Sequence, residues 1–167
     1  MRIHSINEQV GIRGVSLIEL VVTVTILAIL ASLVLPSARM TAKRTKEIEL
    51  RRNLRTIRLA IDEFKKTHDK AVEDKKIIQS MNKSGYPETL TQLVEGYDFG
   101  GAVSVKRKFL RRIPSDPFYP ETDEEKRWGL RSYVDKPDSK TWGGEDVYDV
   151  YSQSEEIALD GSKYNEW

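Results

Sequence analysis

Residues 15–35 read VSLIELVVTVTILAILASLVL, 21 residues with one charge, Glu19. A bilayer core takes roughly 20 apolar residues as a helix. No other feature constrains the fold so strongly. A buried core helix is the competing reading, but the remaining chain is too polar to surround such a segment. A cleaved secretory signal is another. Its apolar region is usually about 7–15 residues, followed by a small-residue cut site. Here the run is longer, and Ala38 after Pro36 and Ser37 is a poor match.

The helical pattern resumes after Pro36. Leu50, Leu54, Ile57, Ile61 and Phe64 are spaced 4, 3, 4 and 3 apart, one apolar stripe on a helix. We therefore expect one helix from about Val15 to about Lys70, kinked at Pro36 because proline removes a hydrogen bond and clashes with the preceding turn. It would be roughly 80 Å long. Its first half is apolar all round and its second half amphipathic.

Charge follows the same division. Residues 39–58 hold Arg39, Lys43, Arg44, Lys46, Arg51, Arg52, Arg55 and Arg58 against Glu47 and Glu49, within a chain of net charge only +1. A basic band beside an apolar span, with an acidic remainder, is a layered protein. The band can bind nucleic acid or anionic lipid in principle. It has no aromatic residue for a single-strand stacking platform, so a solvated face between subunits is the preferred reading.

Beyond the helix, residues 68–83 are polar and read as a loop. Pro87 suits a first helical position, with a short helix over Glu88–Val94. Leu110–Pro117 (LRRIPSDP) reads as an ordered loop. Trp128–Val134 and Asp146–Tyr151 read as strands, joined through Asp138–Glu145 with Gly143-Gly144. The tail Ser152–Trp167 reads as irregular. About 97 residues cannot bury a large core alone, and a small sheet packed on the Leu50–Phe64 stripe would solve that. The expected fold class is α+β. It is a ladle of one long N-terminal helix, transmembrane then amphipathic, packed on a small antiparallel β-sheet. The segments are 1–14, 15–35, 36–70 and 71–167.

Enzymatic chemistry finds little material. There is no cysteine and there are two histidines, His4 and His68. No phosphate loop and no HExxH motif occurs. Ser16 and Ser32 have no base nearby in sequence. The reading is of a non-enzyme.

The junction Gly14-Val15-Ser16-Leu17-Ile18-Glu19-Leu20 resembles the processing site of type IV prepilins and type II secretion pseudopilins. In that family a short basic leader ends in glycine. A prepilin peptidase cuts after it and methylates the new N-terminus. The resemblance implies cleavage between Gly14 and Val15. It also makes Glu19 the fifth mature residue, which pairs with a neighbour's methylated amine to fix filament register. Pro36 falls where many members kink. Val15 departs from the usual phenylalanine or methionine.

Tyr86-Pro87, Leu110–Pro117 and Asp146–Ser152 (DVYDVYS) resemble the major pseudopilin of type II secretion, and absence of cysteine agrees. Phe118-Tyr119-Pro120 replaces the usual Trp-Gly. The resemblance implies a pilin-like fold and a subunit in the bacterial inner membrane with a periplasmic C-terminal domain. Its partners would be other copies of itself, minor pseudopilins, the prepilin peptidase, an assembly platform protein, a secretion ATPase and an outer-membrane secretin. It also implies a calcium loop after the last strand. Ser152, Glu155 and Asp160 carry suitable oxygens, although the family's aspartate-rich pattern is missing and a solvated acidic loop with an Asp160-Gly161 turn fits equally.

A type IV pilin for adhesion, motility or DNA uptake shares every feature up to residue 64. A membrane-anchored binding domain that never polymerises is the reading from another class. The positive-inside rule favours an anchor with a cytoplasmic C-terminal domain, since the larger basic cluster follows the span.

Overall fold

A computed structural model describes residues 14–78, 84–100, 105–124 and 126–167, with the side chains of 33–37 outside the described set. The leader before Gly14 and the kink expected at Pro36 therefore lie outside the described residues. Helix α1 runs Leu17–Glu73, helix α2 Leu90–Glu95, strand β1 Gly129–Arg131 and strand β2 Asp149–Tyr151, and a 3-10 turn closes the chain at Tyr164–Glu166. This is a mixed helix and sheet architecture. Two compact units divide after Thr41.

The second unit, Ala42–Trp167, contains the core. The predicted stripe forms its spine: Leu50, Ile57 and Ile61 are fully buried, and Leu54 and Phe64 nearly so. Burying each such side chain is worth about 1.5–3 kcal/mol against leaving it exposed. Leu93, Ile113, Trp128, Val147, Val150 and Tyr164 pack against the stripe. Phe64 lies within 5.2–5.6 Å of the rings of Tyr97, Phe99 and Phe109, an aromatic group that closes the far end of the core.

Helix α1 outlasts the expected end at Lys70 by one turn. It stops where Lys75 adopts φ of 58° and the Lys75 and Lys76 amides fold back on Val72 and Ala71 carbonyls. Helix α2 starts later than expected. Pro87 is buried and its carbonyl accepts the Val147 amide at 2.7 Å, so it belongs to a cross-link with the chain entering β2. Thr89 is the cap, its hydroxyl accepting from Gln92 N–H at 3.3 Å.

The two strands pair antiparallel, with Gly129 opposite Tyr151, Leu130 opposite Val150 and Arg131 opposite Asp149. They are shorter than the sequence suggests because their flanks are used by side chains. The Ser132 amide, just past β1, donates to the Asp135 carboxylate at 2.7 Å and leaves the ladder. Asp146 accepts from Tyr133 N–H at 2.9 Å and from the Ser84 hydroxyl.

Gly129 has a specific role. The Tyr151 ring folds back over it, so a Cβ there would strike the ring. The Arg131 guanidinium lies 4.1 Å from the same ring's centroid. Gly129→Ala is expected to displace the ring and cost about 1–3 kcal/mol. A lower urea midpoint with unchanged slope would show it; an unaltered midpoint would show that the ring moves freely.

The tail is more ordered than expected. Ile157 and Lys163 form an isolated bridge, and Tyr164 is fully buried with its ring stacked 4.0 Å from that of Phe118. The buried Glu47 carboxylate accepts from the Leu159 amide at 2.7 Å and the Tyr164 hydroxyl at 2.9 Å. Burial, then this hydrogen bond to Glu47, pushes the Tyr164 phenol above its ordinary pKa.

Candidate assembly surface

The Gly14–Val15 bond lies just before α1. The Leu20 N–H donates to the Ser16 carbonyl at 3.0 Å at the start of the helix, so residues 14 and 15 precede it. Both are exposed, Val15 at 69%. A peptidase needs an accessible, non-helical bond, and this one qualifies.

The following helical segment is exposed on all sides. Leu17, Ile18, Leu20, Val21, Val22, Val24, Ile26, Leu27, Ile29 and Leu30 all face outward. A helix apolar around its whole circumference demands an apolar surround. Its hydroxyls are already satisfied: Thr23 donates to Leu20, Thr25 to Val21 and Ser32 to Ile29 carbonyls, at 2.7–2.8 Å. Among the described residues no helix is long and apolar enough to cross a membrane. The described side chains of the apolar run end at Ser32, so the span expected over 15–35 falls partly outside them.

Glu19 lies in the first turn of α1, where the helix dipole favours an anion. It is exposed and forms no ion pair within the chain among the described residues. Gly14, Val15 and Glu19 thus lie within six residues, at the mouth of one apolar helix.

The basic band divides between two uses, correcting the expectation of a wholly solvated face. Arg58 donates to Asp149 at 2.7 Å and to the Val150 and Trp167 carbonyls at 2.9 and 3.0 Å. Arg131 joins the same Asp149 carboxylate at 3.1 Å, which ties strand to helix. Lys43 donates to the Ile157 carbonyl at 2.5 Å and Arg51 pairs with Asp160 at 3.2 Å. Arg44, Arg52 and Arg55 remain exposed. No spacing rule signals these pairings: those made by the basic band reach 91–114 positions along the chain, and Arg131 to Asp149 spans 18.

Two of the three residues expected to suit calcium, Ser152 and Asp160, have their oxygens engaged by the protein. Ser152 is buried and its hydroxyl accepts from Ser154 N–H at 3.1 Å. Asp160 accepts from the Ser162 amide and hydroxyl at 3.0 and 2.6 Å and from Arg51, contacts that hold its carboxyl below the usual range. Glu155 is exposed. Among the described residues no group of three or more histidines and carboxylates is placed to hold a metal.

No protein-family model, curated protein or solved structure matches the chain.

Proposed function

We propose that the chain is a prepilin-type subunit, cut after Gly14 and polymerised through its N-terminal helix into a type II secretion pseudopilus. One observation carries this reading. An exposed apolar helix with a single carboxylate, Glu19, begins two residues beyond an accessible Gly14–Val15 bond. An apolar cylinder of this kind is stable only in lipid or among other apolar helices. The two environments correspond to a stored and an assembled state of one subunit. The second unit has no enzymatic role in this reading and faces outward as the filament's surface.

A type IV pilin shares the N-terminal half. The resemblance of the LRRIPSDP loop and the DVYDVYS segment, with the absence of cysteine, favours the pseudopilin.

Intact mass tests the reading. The chain is expressed in membranes of hosts with and without prepilin peptidase. Loss of residues 1–14 with gain of one methyl group, only in the first host, is the expected result. An uncut chain in both hosts would refute it in favour of a simple membrane anchor.

A further inference from the structure

A groove of about 1020 Å³ lies on α1 beside the LRRIPSDP loop, with Ile48, Arg52, Arg111, Arg112 and Arg127 in its wall. Arg127 is committed to the protein, donating to the Glu121 and Ile113 carbonyls at 3.2 and 3.1 Å. Arg52, Arg111 and Arg112 are exposed and pair with no carboxylate among the described residues. Glu49 and Glu124 also line the groove, which leaves it net positive. Ile48, 62% exposed, adds an apolar patch beside the charges.

Elsewhere on the second unit lies a surface of matching form. Glu155 and Glu156 are adjacent, exposed and unpaired among the described residues, whereas Asp69, Asp149 and Asp160 are each held by a cation. Ile157, 58% exposed, follows them. The backbone carrying them is fixed: Glu156 N–H donates to the Ser154 hydroxyl, Tyr164 N–H to the Glu156 carbonyl, and Lys43 to the Ile157 carbonyl. A preorganised loop loses little entropy on docking.

We infer that the arginine groove receives the Glu155-Glu156-Ile157 edge of a second copy of this chain. The tandem arginines match the tandem glutamates, and Ile48 matches Ile157. Charge complementarity of this kind sets register and selects partners. The two surfaces cannot meet within one copy. Lys43, Glu47 and Arg51 hold the tail loop, whereas Ile48, Arg52 and Thr56 face the groove. At roughly 100° per residue, these two trios occupy nearly opposite sides of α1. Donor and acceptor on opposite sides give a head-to-tail contact, which repeats without self-pairing. The inference rests on the polymer reading above and names the outer contact of that polymer.

The test uses the full chain, in a host with prepilin peptidase and a pilin assembly apparatus. The chain has no cysteine, so Ile48→Cys with Ile157→Cys supplies the only thiols for a bismaleimide probe. A ladder beyond dimer is expected from the pair, and at most dimer from either single variant. Reversing Arg111 and Arg112 to Glu, or Glu155 and Glu156 to Arg, is expected to lower the ladder and the sedimented polymer about tenfold or more. Combining both reversals is expected to restore them to within about twofold. All four side chains are exposed, so thermal melts are expected to stay unchanged, and Arg111→Gln with Arg112→Gln serves as a milder pair. Polymer that pellets equally from every variant overturns this contact and leaves the polymer reading standing. Loss in each reversal without restoration also overturns it. Absence of pelletable polymer from the parent chain overturns both.

Discussion

Glu19→Ala is expected to abolish filament formation, with sedimented polymer falling at least about tenfold, while peptidase cleavage and membrane insertion persist. The reason is energetic. A carboxylate within an apolar span costs at least about 2.5–3.5 kcal/mol by insertion scales, so such a residue is normally held by a partner. Glu19 has none in its own chain among the described residues, although it occupies the first turn of α1. On the proposed reading its partner comes from outside, and the methylated amine of Val15 on an adjacent subunit is suitable in charge and position along the helix. Glu19→Gln separates charge from shape: it keeps the size and a hydrogen-bonding group but cannot make the ion pair. Both variants should insert at least as well as the parent, because each removes a charge. Filaments of normal yield from Glu19→Ala would leave Glu19 without a role in register.

Ile57→Ala is expected to have the largest effect on stability. Ile57 is fully buried at the middle of the α1 stripe, between the turns carrying Leu54 and Ile61. Truncation removes transfer energy and leaves a cavity that packed neighbours fill only in part, at a cost of about 2–5 kcal/mol. For a unit of this size the melting temperature should fall by roughly 10–20 °C. Leu59 is the control. It lies on the same helix, 56% exposed, and Leu59→Ala should change stability by less than about 0.5 kcal/mol. A comparable loss at both positions would mean that the stripe is not the core.

The stripe was legible in the sequence because helical period is a local property, and five residues at 3- and 4-residue spacing specify a face. Gly14, Val15 and Glu19 stand out only through the resemblance of residues 14–20 to a prepilin junction, and their roles belong to the proposal above. Thr89 was legible in principle: a threonine directly before an apolar run is a helix start signal. Pro87 competed with it, and only its carbonyl bond to Val147 removes it from the helix. What could not be read is long-range. Tyr164 sits in a polar tail, and its burial depends on a carboxylate at Glu47, 117 positions earlier. The bridge from Arg58 through Asp149 to Arg131 has no local signature either. The strands are shorter than their β-forming residues suggest, because the Ser132 and Tyr133 amides are taken by the Asp135 and Asp146 carboxylates.

The hydroxyls of Thr23, Thr25 and Ser32 turn back onto their own helix. A neighbouring segment therefore meets a nearly uniform hydrocarbon sleeve with no sticky points along it. Such a rod can slip lengthwise or spin with little friction. On the proposed reading, a subunit built this way travels easily through lipid and halts at one stop, Glu19, the charge left unanswered among the described residues of the sleeve.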